Sequence, residues 1–198
     1  MPPSRIQSDI LRLLAGQRDA ESFVAGGVPV NRQGPRVSTD IDIFHDRQER
    51  VGKAAEQDAA LLAKSGYAIE WIRKQPAIFS ASVRSGDQET KLEWLADSDF
   101  PFFPTIKDDQ LGFMLSMADL AVNKVMAAAG RREARDLVDL VTLHDRFLSV
   151  GAIVWAAVEV APGFTPEGLI AEIRRNSRYA KHDFDELEAT PPVDSRRR

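Results

Sequence analysis

The sequence predicts an α+β protein in which a mixed β-sheet with flanking helices is followed by a C-terminal helical bundle. Before residue 96, several short segments have the alternation or β-rich composition of half-buried strands. After residue 116, stretches rich in alanine, leucine and charge have helical spacing. Strands and helices are therefore largely segregated along the chain, which is typical of α+β proteins.

The first helix and strand follow from residue spacing and from the residues at their ends. Isoleucine and leucine recur at near-helical intervals from Ser4 to Gln17, with Ser4 as a suitable N-cap. A short apolar strand over residues 22–25 ends at Gly26-Gly27, where residues without a Cβ permit positive φ and close approach to a phosphate. We expect a connection containing proline and glycine to follow.

The next strand carries two acidic residues on one face. Residues alternate strictly from Val37 to Phe44, so Asp40 and Asp42 point to the same side, about 6.5–7 Å apart along the backbone. Two carboxylates this close repel each other unless a cation intervenes, and Mg²⁺ prefers such hard oxygen ligands. A solvated edge strand is the alternative that this motif alone leaves open.

A helix and three further strands complete the predicted sheet region. Residues 47–64 are rich in alanine, leucine and glutamate and are followed by Gly66, which suits a glycine-capped helix. Three β-like segments come next: 67–73, 78–84 and 89–95. The last two flank a hairpin turn. Alternation in the final segment places Lys91 and Glu93 on one face, from which both could join the aspartate site.

The C-terminal half is predicted to be helical after a loop rich in proline and phenylalanine at residues 100–104. Ser116 begins a variant capping box, and Thr165 and Pro166 suit the start of a later helix. The predicted helices are 116–129, 132–147, 152–160 and 166–178. We therefore expect a catalytic core over residues 1–105, a helical lobe closing its cleft over 106–180, and a disordered tail over 181–198.

Composition limits the classes of function. The 198 residues are 43% hydrophobic and 28% charged, and no apolar run approaches the roughly 20 residues of a membrane-spanning helix. The N-terminus lacks an apolar export segment, so we expect a cytoplasmic protein with no membrane contact. The absence of cysteine excludes disulfides and thiolate metal sites. A net charge of −4 argues against a general polyanion binder.

Several pieces of sequence together resemble the AbiEii/AbiGii toxin-like nucleotidyltransferases, members of the polymerase-β-like superfamily. The resemblance covers about residues 23–143. Its pieces are Gly26-Gly27 with the segment from Arg36 to Phe44, Lys91-Leu92-Glu93, the segment from Lys124 to Ala127, and Arg131 with the segment from Arg135 to Leu140.

The resemblance implies a Mg²⁺-dependent nucleotidyltransferase and assigns roles to individual residues. Asp40 and Asp42 would hold the metal, Glu93 would be a third carboxylate acting as general base or second metal contact, and Asp139 would lie at the catalytic cleft. Residues implied to contact the nucleoside triphosphate or the acceptor are Gly26, Gly27, Arg36, Ser38, Lys91, Lys124, Arg131 and Arg135. Simpler alternatives are a cross-strand ion pair on the sheet surface for Glu93, and an exposed helix pair between Arg135 and Asp139 worth about 0.3–0.5 kcal/mol.

The implied reaction moves a nucleoside monophosphate from a nucleoside triphosphate to an acceptor. The resemblance points to tRNA or another RNA as acceptor, and to the toxin of a toxin–antitoxin pair with an antitoxin protein as partner. A small-molecule acceptor is a further enzymatic alternative. The alternative from another class is a non-catalytic module that binds nucleotide or protein with a retained nucleotidyltransferase fold. It is suggested by Val28-Pro29-Val30 after the glycines, where Pro29 lacks an N–H donor.

Overall fold

The computed structural model describes residues 3–97, 101–185 and 187, which divide into two units. The sheet unit consists of residues 3–29 and 38–116. The helical unit consists of Val30–Val37 and the described residues from Met117 onward. The short segment Val30–Val37 therefore belongs to the helical unit although the chain of the sheet unit surrounds it in sequence.

The sheet unit is built on a mixed β-sheet. Its strands are β1 (Ser22–Ala25), β2 (Asp40–His45), β3 (Ala68–Gln75), β4 (Ile78–Ser85), β5 (Gln88–Ala96), β6 (Ile106–Asp108) and β7 (Gly112–Met114). Their order across the sheet is β3-β4-β5-β2-β1-β7-β6. The β2–β5 and β1–β7 pairs are parallel and the other pairs are antiparallel, which confirms the predicted mixed sheet.

Two helices of the sheet unit pack on the central strands, α1 (Arg5–Leu14) and α3 (Gln48–Lys64). Ser4 caps α1 through the predicted side-chain contact, in a capping box with Gln7. Ile41 of β2 and Leu92 and Trp94 of β5 are fully buried. The residues that alternate with these three along each strand are only half-buried. One side of β2 and β5 therefore forms the core, and the other can carry polar chemistry.

The helical unit confirms the predicted C-terminal bundle. Its helices are α4 (Met117–Gly130), α5 (Ala134–Arg146), α6 (Val150–Ala157), α7 (Pro166–Asn176) and α8 (Lys181–Asp185). Thr165 caps α7 as predicted by accepting a hydrogen bond from the Gly168 N–H, with Pro166 in the first turn. Among the described residues, no helix combines the length and apolarity that crossing a bilayer requires.

Several predicted boundaries need correction. The predicted connection after the glycines contains a short helix, α2 (Gly27–Asn31), and the acidic strand begins at Asp40 rather than Val37. Strands β6 and β7 were not predicted. The disordered tail was expected from residue 181, but Lys181–Asp185 form α8; the remainder of that tail, except Leu187, lies outside the described residues.

Candidate active site

Strand β2 presents Asp40 and Asp42 on the polar side of the sheet. Both aspartates are half-buried, whereas Ile41 and Ile43 between and after them are 0% and 1% exposed. The alternation that the sequence shows therefore reflects one core-facing and one partly solvated side. Because the apolar residues fix which side is buried, the register of the aspartates is fixed as well.

Strand β5 brings a third carboxylate to the same place. It pairs with β2 in parallel, with Asp40 opposite Lys91 and Asp42 opposite Glu93. Carboxylate oxygens of Asp40, Asp42 and Glu93 all lie within 4.8 Å of one another, and all three residues are half-buried. We call these three residues the acidic cluster. Such a set of hard oxygen donors is what a divalent cation such as Mg²⁺ takes.

Lys91 places a positive charge at the edge of the acidic cluster. Its Nζ lies 2.7 Å from Oε1 of Glu93, and the side chains are 41% and 17% exposed. The ion pair joins two residues of one strand, since positions two apart share a face. The cross-strand ion pair considered as an alternative for Glu93 is therefore not the pair observed, which lies within β5 and coexists with the acidic cluster.

Gly26 has a specific steric reason to be glycine. Its φ is +68°, and a Cβ at this position would lie 1.9 Å from Oδ2 of Asp42 and 2.8 Å from its Cγ. The Asp42 side chain therefore fills the space that a side chain at residue 26 would need. Ala25 lies opposite Asp42 in the β1–β2 register, so the end of β1 is kept small beside this carboxylate.

A buried hydrogen-bond network connects the chain segments at the starts of β2 and β5. Nε2 of Gln7 donates to the backbone oxygen of Ser38 at 2.7 Å and to Oγ1 of Thr90 at 3.2 Å. The Thr90 hydroxyl donates in turn to the Thr39 backbone oxygen. Gln7 and Ser38 are 2% and 3% exposed, and the contact of Gln7 with the Ser38 backbone oxygen anchors the chain before β2. Sequence reasoning did not single out Gln7, because its partners are distant in the chain.

The helical unit contains a buried charge network centred on Asp139, which is 0% exposed. Arg36 donates to both Asp139 carboxylate oxygens, at 2.8 and 2.7 Å. Nδ2 of Asn31 lies 2.7 Å from Oδ1, and Nζ of Lys124 lies 2.7 Å from Oδ2. Both carboxylate oxygens are occupied, so the arrangement favours a structural role for Asp139 over the catalytic role implied by the resemblance.

Asp136 extends this network and was missed as a site residue. Its buried carboxylate receives two hydrogen bonds from Arg131, at 2.7 and 3.2 Å, and lies 3.3 Å from Nζ of Lys124. Arg135 instead pairs with Glu133, at 3.8 Å. The alternative of an exposed helix pair between Arg135 and Asp139 is wrong, because Asp139 is fully buried and bound to Arg36.

Electrostatics keep both network carboxylates ionised. Burial raises the pKa of Asp139, but Lys124 and Arg36 outweigh it, and the resulting pKa is below the usual value. The pKa of Asp136 is lowered in the same way: burial raises it, and the Arg131 hydrogen bonds and the Lys124 charge overcome that effect. The carboxylates of Asp136 and Asp139 thus neutralise the positive charges of the buried Arg36 and Lys124 side chains.

On the other side of β2, His45 is fully buried. Burial lowers its pKa from 6.5 to about 4, assisted by the positive charges of Arg18 and Arg50 and opposed by Asp19 and Asp46. His45 is therefore neutral near pH 7 and belongs to the packed side of the sheet, away from the polar side that carries the acidic cluster.

The fold is that of nucleotidyltransferases. MenT4, a nucleotidyltransferase toxin from Mycobacterium tuberculosis H37Rv, matches with a TM-score of 0.59 at 19% identity over 95% of this chain and 76% of that one. An H. pylori protein assigned as a nucleotidyltransferase matches with a TM-score of 0.54 at 16% identity over 89% and 81%. No protein-family model and no curated protein matches the chain. The fold implied by the resemblance is confirmed, and the AbiEii/AbiGii assignment stays a prediction.

Proposed function

We propose that this chain is a Mg²⁺-dependent nucleotidyltransferase that transfers a nucleoside monophosphate from a nucleoside triphosphate to an acceptor hydroxyl. The observation that carries the proposal is the acidic cluster, in which oxygens of Asp40, Asp42 and Glu93 lie within 4.8 Å on two parallel strands. The nucleotidyltransferase fold supports the proposal as a second observation. A fold does not by itself imply a function, so the fold and the acidic cluster are separate lines of support.

The acidic cluster fits the coordination chemistry of Mg²⁺. Bonds of about 2.1 Å in an octahedral shell place neighbouring oxygens about 3 Å apart and opposite oxygens about 4.2 Å apart. The upper bound of 4.8 Å on the observed spacing is slightly longer than the distance between opposite oxygens in such a shell. The half-buried position also leaves room for water and phosphate oxygens, with which Mg²⁺ usually completes its shell.

The proposed reaction is an in-line displacement at the α-phosphorus. The acceptor oxygen forms a bond to Pα, the bond between Pα and the bridging oxygen of the β-phosphate breaks, and that electron pair leaves with pyrophosphate. The hydroxyl proton passes to a carboxylate, for which Glu93 is the candidate. Bound Mg²⁺ would supply charge neutralisation at the triphosphate and the attacking oxygen.

Basic residues and glycines complete the proposed assignment. Lys91, which pairs with Glu93, offsets part of the negative charge of the acidic cluster and is placed to meet a phosphate once the carboxylates bind metal. Gly26 leaves the space that the Asp42 carboxylate fills, and the Ser38 backbone oxygen accepts from Gln7 just before β2. We propose that Arg36, Lys124 and Asp139 organise the helical unit. We further propose that Arg131, which binds Asp136 and is 50% exposed, and Arg135, which pairs with Glu133, contact the nucleotide or the acceptor.

The acceptor and the biological role are the finer parts of the proposal. The resemblance to toxin-like nucleotidyltransferases favours RNA, with tRNA as the first acceptor to test. MenT4 is named as a toxin, which supports a toxin role here. Induced expression of the wild-type chain should then arrest growth, and expression of the Asp40→Asn, Asp42→Asn double variant should not.

Transfer of label to RNA tests the activity. Protein, Mg²⁺, total RNA and each α-³²P nucleoside triphosphate in turn should yield labelled RNA with one or more of the four nucleotides. The Asp40→Asn, Asp42→Asn variant keeps side-chain volume and removes the charges, so it should give only background. Equal labelling by both proteins would contradict the enzymatic proposal. Calorimetric binding of triphosphate without any transfer would favour the non-catalytic binding module.

A further inference from the structure

A groove on the helical unit has an apolar floor of four aliphatic residues. Leu137 of α5, Val150 of α6, and Ile170 and Ile173 of α7 line a cavity of about 850 Å³. All four side chains are only half-buried. Phe147 and Leu148, directly before α6, are 40% and 45% exposed. Apolar surface that stays open in this way is typical of a binding surface.

The groove is lined by arginines and contains no acidic lining residue among the described residues. Arg132, Arg174 and Arg178 contribute to its wall. Arg132 is held in place, since it donates to the Arg178 backbone oxygen at 3.1 and 2.7 Å and lies 5.7 Å from the Tyr179 ring. Arg174 and Arg178 are exposed, and neither side chain forms an ion pair with another described residue.

Together, the floor and the arginines define the chemistry of an occupant. Aliphatic side chains must cover the floor, and negative charges must flank them to meet Arg174 and Arg178. We propose that this groove docks an acidic amphipathic helix of a partner protein, with aliphatic residues on one face and carboxylates along its borders.

RNA fits the groove less well than such a helix. Phosphates could meet the arginines, but single-stranded bases bind by stacking on exposed aromatic rings. Among the lining residues the one aromatic is Tyr179, which is 7% exposed and is covered by Arg132 and by Phe184, whose ring centroid is 5.6 Å away. The exposed ring of Phe147 is not part of the groove lining. An RNA ligand would leave the four aliphatic side chains of the floor exposed to water. This docking surface does not depend on the proposed transferase activity.

Peptide binding to the full chain tests the groove. The probe is a fluorescein-labelled 16-residue peptide designed as a helix, with leucines at heptad positions a, d and e and glutamates at the flanking positions. One control peptide carries lysine in place of every glutamate. A second has the same composition in an order that spreads the leucines around the helix. A uridylate 16-mer with the same label reports RNA binding, and anisotropy is read at constant salt.

The variants separate the groove from general charge. Arg174→Glu with Arg178→Glu reverses the charge of the groove wall. The matched control is Arg175→Glu on the same helix: Arg175 does not line the groove and pairs with Glu172. Should the double reversal unfold the chain, Arg174→Gln with Arg178→Gln removes the same charges more gently. Ile173→Ala tests the floor, with circular dichroism to verify folding of every variant.

The acidic peptide should bind better than both control peptides and the uridylate. The double reversal should weaken it about tenfold or more, and Arg175→Glu should change it less than about twofold. Ile173→Ala should weaken it as well. Absence of acidic-peptide binding, equal binding of a control peptide, or equal losses in Arg175→Glu and the double reversal would overturn the proposal. Tighter uridylate binding with the same dependence on Arg174 and Arg178 would assign the groove to RNA instead.

Discussion

The side chain of Asp42 occupies the space in which a side chain at Gly26 would begin. A Cβ on Gly26 would lie 1.9 Å from Oδ2 of Asp42, and the backbone of Gly26 has a φ of +68°. The Asp42 carboxylate on β2 can therefore occupy its position only because the residue that follows β1 is a glycine. Its consequence is that the position of a proposed metal ligand depends on a neighbouring strand.

Gly26→Ala should abolish metal binding because the new methyl group displaces the Asp42 carboxylate. The matched control is Gly86→Ala, since Gly86 has a similar φ of +61° but nothing within 4 Å of its Cβ position. Each change should cost about 1–2 kcal/mol of stability through the left-handed backbone, and Gly26→Ala should cost more because the Asp42 side chain must also move. Calorimetry with Mn²⁺ should show binding by Gly86→Ala and none by Gly26→Ala. Equal metal affinities in the two variants would contradict this relationship.

Asp42→Asn should have opposite effects with and without metal. In metal-free buffer, loss of one charge from the acidic cluster relieves repulsion and should raise the free energy of unfolding by about 0.5 kcal/mol, a small value because the site is half-exposed. Adding Mg²⁺ should raise the melting temperature of wild type and leave that of Asp42→Asn unchanged. Asp87→Asn, in the exposed hairpin turn, should behave as wild type. A Mg²⁺ response retained by Asp42→Asn would count against the metal site.

Asp139→Ala should strongly destabilise the protein. The change leaves Arg36 and Lys124 buried without their shared carboxylate, which should cost about 3–5 kcal/mol in urea unfolding. Arg36→Met combined with Asp139→Leu should cost less than the sum of the single changes, since both partners are removed together. Arg175→Ala, which disrupts an exposed pair, should change stability by less than about 0.5 kcal/mol. Additive losses would show that the ion pair carries no coupling.

Stability should fall in mild acid because of His45. Its folded-state pKa of about 4 lies below the ordinary 6.5, so the unfolded chain binds the proton more tightly. The stabilisation is complete above pH 6.5 and is lost as pH falls toward 4, by about 3 kcal/mol in total. Urea unfolding at several pH values should show this slope in wild type and in His182→Gln, an exposed control, but not in His45→Gln. An unchanged slope in His45→Gln would rule out this group as the cause.

Sequence patterns predicted those parts of the fold and site that depend on neighbouring residues in the chain. Strict alternation located β2 and its aspartates, because one face of that strand is buried. Helix α2 escaped prediction because Gly27 and Pro29 are typical of loops, although proline is tolerated in a first helical turn. Strands β6 and β7 are three residues each, too short for alternation to register.

Long-range partners could not be predicted in this way. Helical spacing suggested that Asp139 pairs with Arg135, four residues away, whereas its partner Arg36 is 103 residues distant. The contact between Gln7 and Thr90 spans 83 residues and is likewise invisible to spacing. Both cases concern buried polar groups, whose need for a partner is predictable but whose choice of partner depends on the tertiary fold.

The central claim is most directly tested by following the two ends of the triphosphate in one reaction. Purified chain, Mg²⁺ and total RNA are incubated with a nucleoside triphosphate labelled either at the α- or at the γ-phosphate. Nucleotidyl transfer predicts α-label in RNA and γ-label in free pyrophosphate, with both signals lost in the Asp40→Asn, Asp42→Asn variant. Appearance of γ-label in RNA, or of α-label in RNA with the variant at the wild-type rate, would contradict the account.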